Sequence, residues 1–108
     1  MSGSGGSGGG GVFDPPPTDC RMLTFTTQLS SPKASVVKWL KENDVLDIAT
    51  QVVGMVTVVV ALRSGEVAGG LASPLVQKLR ECIEAGIGFK AQVLSVDRGQ
   101  VRVRVRAA

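Results

Sequence analysis

The chain has 108 residues, with twelve Lys and Arg against nine Asp and Glu for a net charge of +3, two cysteines, and no histidine or tyrosine. The missing histidine removes the commonest general base, the usual metal ligand and every Ser-His or Cys-His nucleophile pair. Phe13, Phe25, Trp39 and Phe89 are too few aromatics for a base-stacking platform, and the longest apolar run, Val52 to Leu62, falls well short of the roughly 20 residues of a spanning helix.

Residues 1–11, MSGSGGSGGGG, are glycine and serine after the first methionine, a composition that cannot repay the entropy of ordering and is expected to stay a flexible coil. Pro15 to Pro17 favour a short polyproline II spacer, preceded by Val12 and Phe13, the leader's two residues able to grip a partner groove or the domain's own surface. We therefore assign 1–19 to a leader and 20–108 to a single folded domain. Asp14 and Asp19 leave with the leader, so the domain carries twelve basic and seven acidic side chains, net +5. That balance permits weak attraction to nucleic acid or an anionic surface. Residues 1–3 begin neither a basic nor an apolar signal region, and a cytoplasmic location is expected, with no membrane partner.

From Arg21 to Leu29 the sequence alternates, with Leu23, Phe25, Thr27 and Leu29 on one face, which predicts a half-buried strand. Ser30, Ser31 and Pro32 are suited to start a short helix reaching about Leu40, its stripe formed by Val36, Val37 and Leu40. After a turn at Glu42–Asp44, a second strand is predicted over Val45–Val53 and a third over Val56–Leu62, the latter apolar on both faces as in a sheet centre or barrel wall. Arg63-Ser64-Gly65 predicts a hairpin turn into a strand Glu66–Leu71, where Gly69 and Gly70 permit a bulge or a close backbone approach.

Ser73 and Pro74 open a second helix whose stripe is Leu75, Val76, Leu79, Cys82 and Ile83, and Gly86 stops it. Phe89–Val96 is a fifth strand, Asp97-Arg98-Gly99 turns it back, and Gln100–Arg106 closes the chain with valines and arginines on opposite faces. The order β-α-β-β-β-α-β-β describes an α+β fold: a small, mostly antiparallel β-barrel or curled sheet with two short helices. Cys20 and Cys82 could form one disulfide, pinning the first strand to the second helix, or stay free, with Cys82 as a small apolar core side chain.

The run Gly65-x-x-Ala68-Gly69-x-Leu71, followed by an amphipathic helix, a glycine and a strand, resembles the C-terminal half of the HIRAN domain family over residues 57–96. The resemblance implies a small β-barrel with two helices, and binding of single-stranded DNA ends. The family's acidic and proline-rich run before the central strand is replaced here by Ala49–Gly54, and no site residue carries over from it.

Arg102, Arg104 and Arg106 form a ladder spaced about 6.5 to 7 Å by strand rise, close to the phosphate spacing of an extended strand. With Arg98 and Lys90 they are the candidate anion- or nucleic-acid-binding residues. The same arginines on a terminal strand would equally discourage pairing with other chains. Asp44, Asp47 and Glu66 are the carboxylates that could converge, but nothing in their spacing makes an acid/base pair, and Gly69-Gly70 before Ser73 is a weak anion-site pattern. No catalytic residue, metal or cofactor is expected. The reading is a non-enzymatic binding or adaptor domain, an accessory component of a bacterial multi-protein system, with a protein partner or subunit. A HIRAN-like DNA-end binder and a self-associating domain, homodimeric through edge strands, are the alternatives.

Overall fold

A computed structural model describes residues 20–108. The leader readings, including the polyproline spacer and Val12 and Phe13, lie outside the described residues. The elements in order are β1 (Thr24–Gln28), α1 (Ala34–Val37), β2 (Val45–Val53), β3 (Val56–Arg63), β4 (Glu66–Gly70), α2 (Val76–Glu84), β5 (Phe89–Asp97) and β6 (Gln100–Ala107). All six strands join one antiparallel sheet in the order β1-β6-β5-β2-β3-β4. Its edges meet at one point, where Ser30 N–H donates to the Gly70 carbonyl at 2.8 Å and Gly70 N–H donates back at 2.9 Å. The sheet is thus curled, but its ladder does not close into a barrel.

Side-chain alternation decides which face is covered. On β6, Val101, Val103 and Val105 are fully buried, as are Ala91 and Val93 beside them on β5. Leu46, Val59, Ala61 and Ala68 continue this inner face across β2, β3 and β4, and Val36 and Val37 of α1, Leu40 just after it, and Leu79 and Cys82 of α2 cap it. The second helix matches its predicted stripe except at its start: Leu79 and Cys82 are buried, Val76 and Ile83 partly so, and Leu75 is largely exposed. Gly86, at φ +96°, ends it. Gly86 N–H bonds the Ile83 carbonyl and Ile87 N–H the Cys82 carbonyl, a Schellman closure that tucks Ile87 into the core.

Three local readings change. The first strand begins at Thr24, because Cys20–Met22 form a helical turn closed by Leu23 N–H onto the Cys20 carbonyl. The first helix is only four residues, and Lys33, not a serine, stands at its N-cap without a side-chain cap. Its anchor is instead a bulge: the β3–β4 register slips between Ala61 and Leu62, and the Ala68 carbonyl accepts the Lys33 N–H at 2.8 Å. Gly69 and Gly70 serve this junction, since a Cβ at Gly69 would lie 3.0 Å from Leu29 Cβ and one at Gly70 3.0 Å from Ser30 Oγ.

Cys20 and Cys82 are joined by a disulfide, both buried, with Cα atoms 5.5 Å apart and a sequence separation of 62. Closing a loop of that length restricts the unfolded chain by about 4 kcal/mol in the chain-entropy model. Replacing both cysteines by serine should therefore lower unfolding stability by about 2 to 4 kcal/mol in urea titration. Leu79→Ala should cost about 2 to 5 kcal/mol in the same assay, and Leu75→Ala less than about 1 kcal/mol.

Candidate anion-binding interface

Burying the valines of β6 forces Arg102, Arg104 and Arg106 onto the outer face of the sheet, where all three are exposed. The strand order makes β6 an interior strand, paired to β1 on one side and β5 on the other. This corrects the edge-guarding reading of the ladder, since no open strand edge lies at β6 for the arginines to protect.

Cross-strand register places Thr24 and Lys90 on either side of Arg106, Thr26 and Gln92 beside Arg104, and Gln28 and Ser95 beside Arg102. Opposite residues on one face stand close enough for their side chains to interact. The result is a three-by-three patch of arginines flanked by hydroxyls, amides and Lys90, with no carboxylate directly opposite an arginine; Asp47 and Asp97 stand at its margins, opposite Lys90 and Gln100. Among the described residues the one ion pair is Lys90 with Asp47, at 2.5 Å and both partly exposed. Lys90 therefore stands at the patch margin with its charge compensated. Arg98 sits in the β5–β6 turn beyond the Arg102 end, exposed and at φ +55° beside Gly99 at φ +82°, the two positive angles of a type I′ hairpin.

Sequence reading missed Thr24, Thr26, Gln28 and Gln92 as members of this patch. Their outward phase was visible in the alternation, but which strand lies beside β6 was not. Gln28 Nε2 donates to Gln100 Oε1 across the β1–β6 pair, and Gln92 Nε2 donates to Asn43 Oδ1 in the turn before β2 at 3.1 Å, so both amides are held.

The other carboxylates are occupied in local structure. Asp44 Oδ2 accepts the Lys41 N–H at 2.9 Å, closing the turn where Asn43 adopts φ +76°. Asp44 and Asp47 line one shallow cleft with Arg63 and Ser64, while Glu66 stands apart from it, opposite Arg63 across the β3–β4 turn. The Gly69-Gly70 pattern does not lead into a helix N-terminus, because α2 begins at Val76, after a turn in which Ser73 Oγ accepts the Leu75 N–H. Among the described residues no polar or charged side chain is buried, no group of three His, Cys, Asp or Glu could hold a metal ion, and no helix is long and apolar enough to cross a membrane.

No family model matches the chain, and no match was found among curated proteins or solved structures.

Asp47→Asn would release Lys90 from its pair and add an uncompensated cation to the margin of the patch. An exposed pair of this kind is worth about 0.2 to 1 kcal/mol. The variant should bind a polyanion about 1.5- to 5-fold more tightly at low salt, measured by fluorescence anisotropy.

Proposed function

We propose that this domain is a non-enzymatic binding module whose recognition surface is the arginine-bearing outer face of the sheet, acting as an adaptor in a bacterial multi-protein system. The single observation that carries the reading is that Arg102, Arg104 and Arg106 are exposed on an interior strand and that none of the residues directly opposite them is a carboxylate, the nearest in the ladder being Asp97, opposite Gln100. Folding needs the valines of β6 inside. It does not need three like charges in a row outside, which repel one another at about 7 Å.

An extended anionic chain suits this row. Each arginine can meet one charge of a strand lying along β6, with Thr24, Thr26 and Gln92 offering hydrogen bonds at its flanks. Single-stranded nucleic acid has that form, and the HIRAN-like reading draws on the same residues. The small number of aromatics favours backbone over base recognition. An acidic segment of a protein partner would meet the same arginines without the regular spacing of phosphates. The cytoplasmic setting belongs to the same proposal. The buried Cys20–Cys82 disulfide favours an oxidising compartment instead.

A labelled oligothymidylate and polyglutamate, each titrated by anisotropy, separate the two ligand classes. Three phosphate contacts predict a log–log salt slope near about −2, hence a loss of roughly 20-fold between 50 and 200 mM salt. Arg104→Gln should flatten that slope by about 0.7 and weaken binding about five-fold at 0.1 M salt. Binding of polyglutamate alone would assign the face to a protein partner. No binding of either polymer at 50 mM salt, or binding indifferent to Arg102, Arg104 and Arg106, would refute the proposal.

A further inference from the structure

The β2–β3 hairpin reaches past the rest of the sheet. Pairing of β2 with β5 ends at Asp47 opposite Lys90, and pairing of β3 with β4 begins at Val60, so 49–59 form a two-stranded ribbon. The turn is Gly54-Met55, with Gly54 at φ +65°. Four large apolar side chains stand at its tip: Val52 is 72% exposed, Val53 57%, Met55 100% and Val56 58%. From Ile48 to Leu62 neither strand carries a charge. A patch of this kind on a folded domain marks an interaction surface.

The two edges of the ribbon differ. On β3, the Thr57 carbonyl accepts from Arg80 of α2 at 3.3 Å and the Val59 carbonyl accepts Leu71 N–H at 3.0 Å, so that edge is braced. On β2, the closing pair Val53 and Val56 fixes the parity of the ladder: Thr50 and Val52 turn their N–H and C=O groups away from β3. Among the described residues these groups have no strand partner. An uncharged, apolar open edge is a template for adding a strand.

We infer that this edge pairs with the same edge of a second copy, antiparallel about a two-fold axis at Gln51. The free stretch, 49–53, is itself centred on Gln51. In that register Thr50 meets the partner's Val52, Val52 meets the partner's Thr50, and all the outward backbone groups of both residues are satisfied. Gln51 faces the partner's Gln51 in a pair without hydrogen bonds, at a Cα separation of about 4.5 Å. Two copies of a domain with net charge +5 can meet here because the nearest charges on β2 and β3 flank the ribbon, and the arginine row lies two strands away, across β5. Pairing along β2 brings only Val52 and Val53 of the four tip side chains against the partner, leaving Met55 in the turn and Val56 on β3 outside the seam, and hides on the order of a few hundred Å² per copy. That is below the roughly 800 Å² per partner of a stable complex, so the dimer forms only at high concentration, in the micromolar range or above. The pairing uses residues separate from the anion-binding face and stands or falls independently of it.

Sedimentation velocity across a concentration series should show monomer at about 1 µM and dimer growing in above tens of micromolar, with Val52→Lys, an exposed position, remaining monomeric and equally stable to heat. Gln51→Cys, mildly oxidised, should give a symmetric cross-link identified by peptide mass mapping, since a Cα separation of about 4.5 Å lies within disulfide range. Thr26→Cys, on the sheet-edge strand β1, should not. A chain that stays monomeric at every concentration would overturn the inference, including one whose tip instead binds lipid vesicles. So would a dimer untouched by Val52→Lys, or cross-linking at Thr26 in place of Gln51.

Discussion

The strict alternation of β6 ties the core to the arginine face. Its side chains have a period of two, so the three valines cannot enter the core without presenting the three arginines to solvent. A slip of one residue in the pairing with β1 or β5 would exchange the two sets and bury three guanidiniums. Register on both flanks is therefore strongly specified, and with it the arrangement of threonine, glutamine and lysine side chains around the ladder. The same constraint that builds the core builds the candidate interface.

The sheet has one covered face, and the helices are there to cover it. α2 contributes Leu79 and Cys82, held at one end by the Schellman closure at Gly86 and joined covalently to Cys20. α1 is short, and is positioned by the Ala68 bulge and the glycines beneath Leu29 and Ser30 more than by its own hydrogen bonds. What the helices leave open falls into two chemically distinct regions. One is the basic outer face over β1, β6 and β5. The other is the apolar ribbon at the end of β2 and β3, where the sheet outruns its cover.

Local patterns were readable where one physical signal dominated. The limits of β2, the stripe of α2, its glycine stop and the two faces of β6 all followed from periodicity and backbone chemistry. Strand order was not readable, because pairing β6 with β1 joins the two ends of the chain, and no local feature marks it. That placed β6 in the interior instead of at an edge and changed what its arginines can be for. The apolar character of β3 on both faces was visible, and it suggested a fully covered strand. Coverage depends on how far β4 and β5 extend, and both stop short of the hairpin tip. The helical turn at Cys20–Met22 was hidden for a related reason, since Arg21 and Met22 continue an alternation that the structure does not use.

The most direct test of the outer face as the recognition surface is a nitrogen-proton correlation spectrum of the labelled full chain, titrated with oligothymidylate at low salt. The account predicts shifts confined to Arg102, Arg104 and Arg106, their flanking residues Thr24, Thr26 and Gln92, and the Arg98 turn, reversed by added salt. Shifts centred on α1, α2 or the β2–β3 tip, with the ladder unmoved, would contradict it.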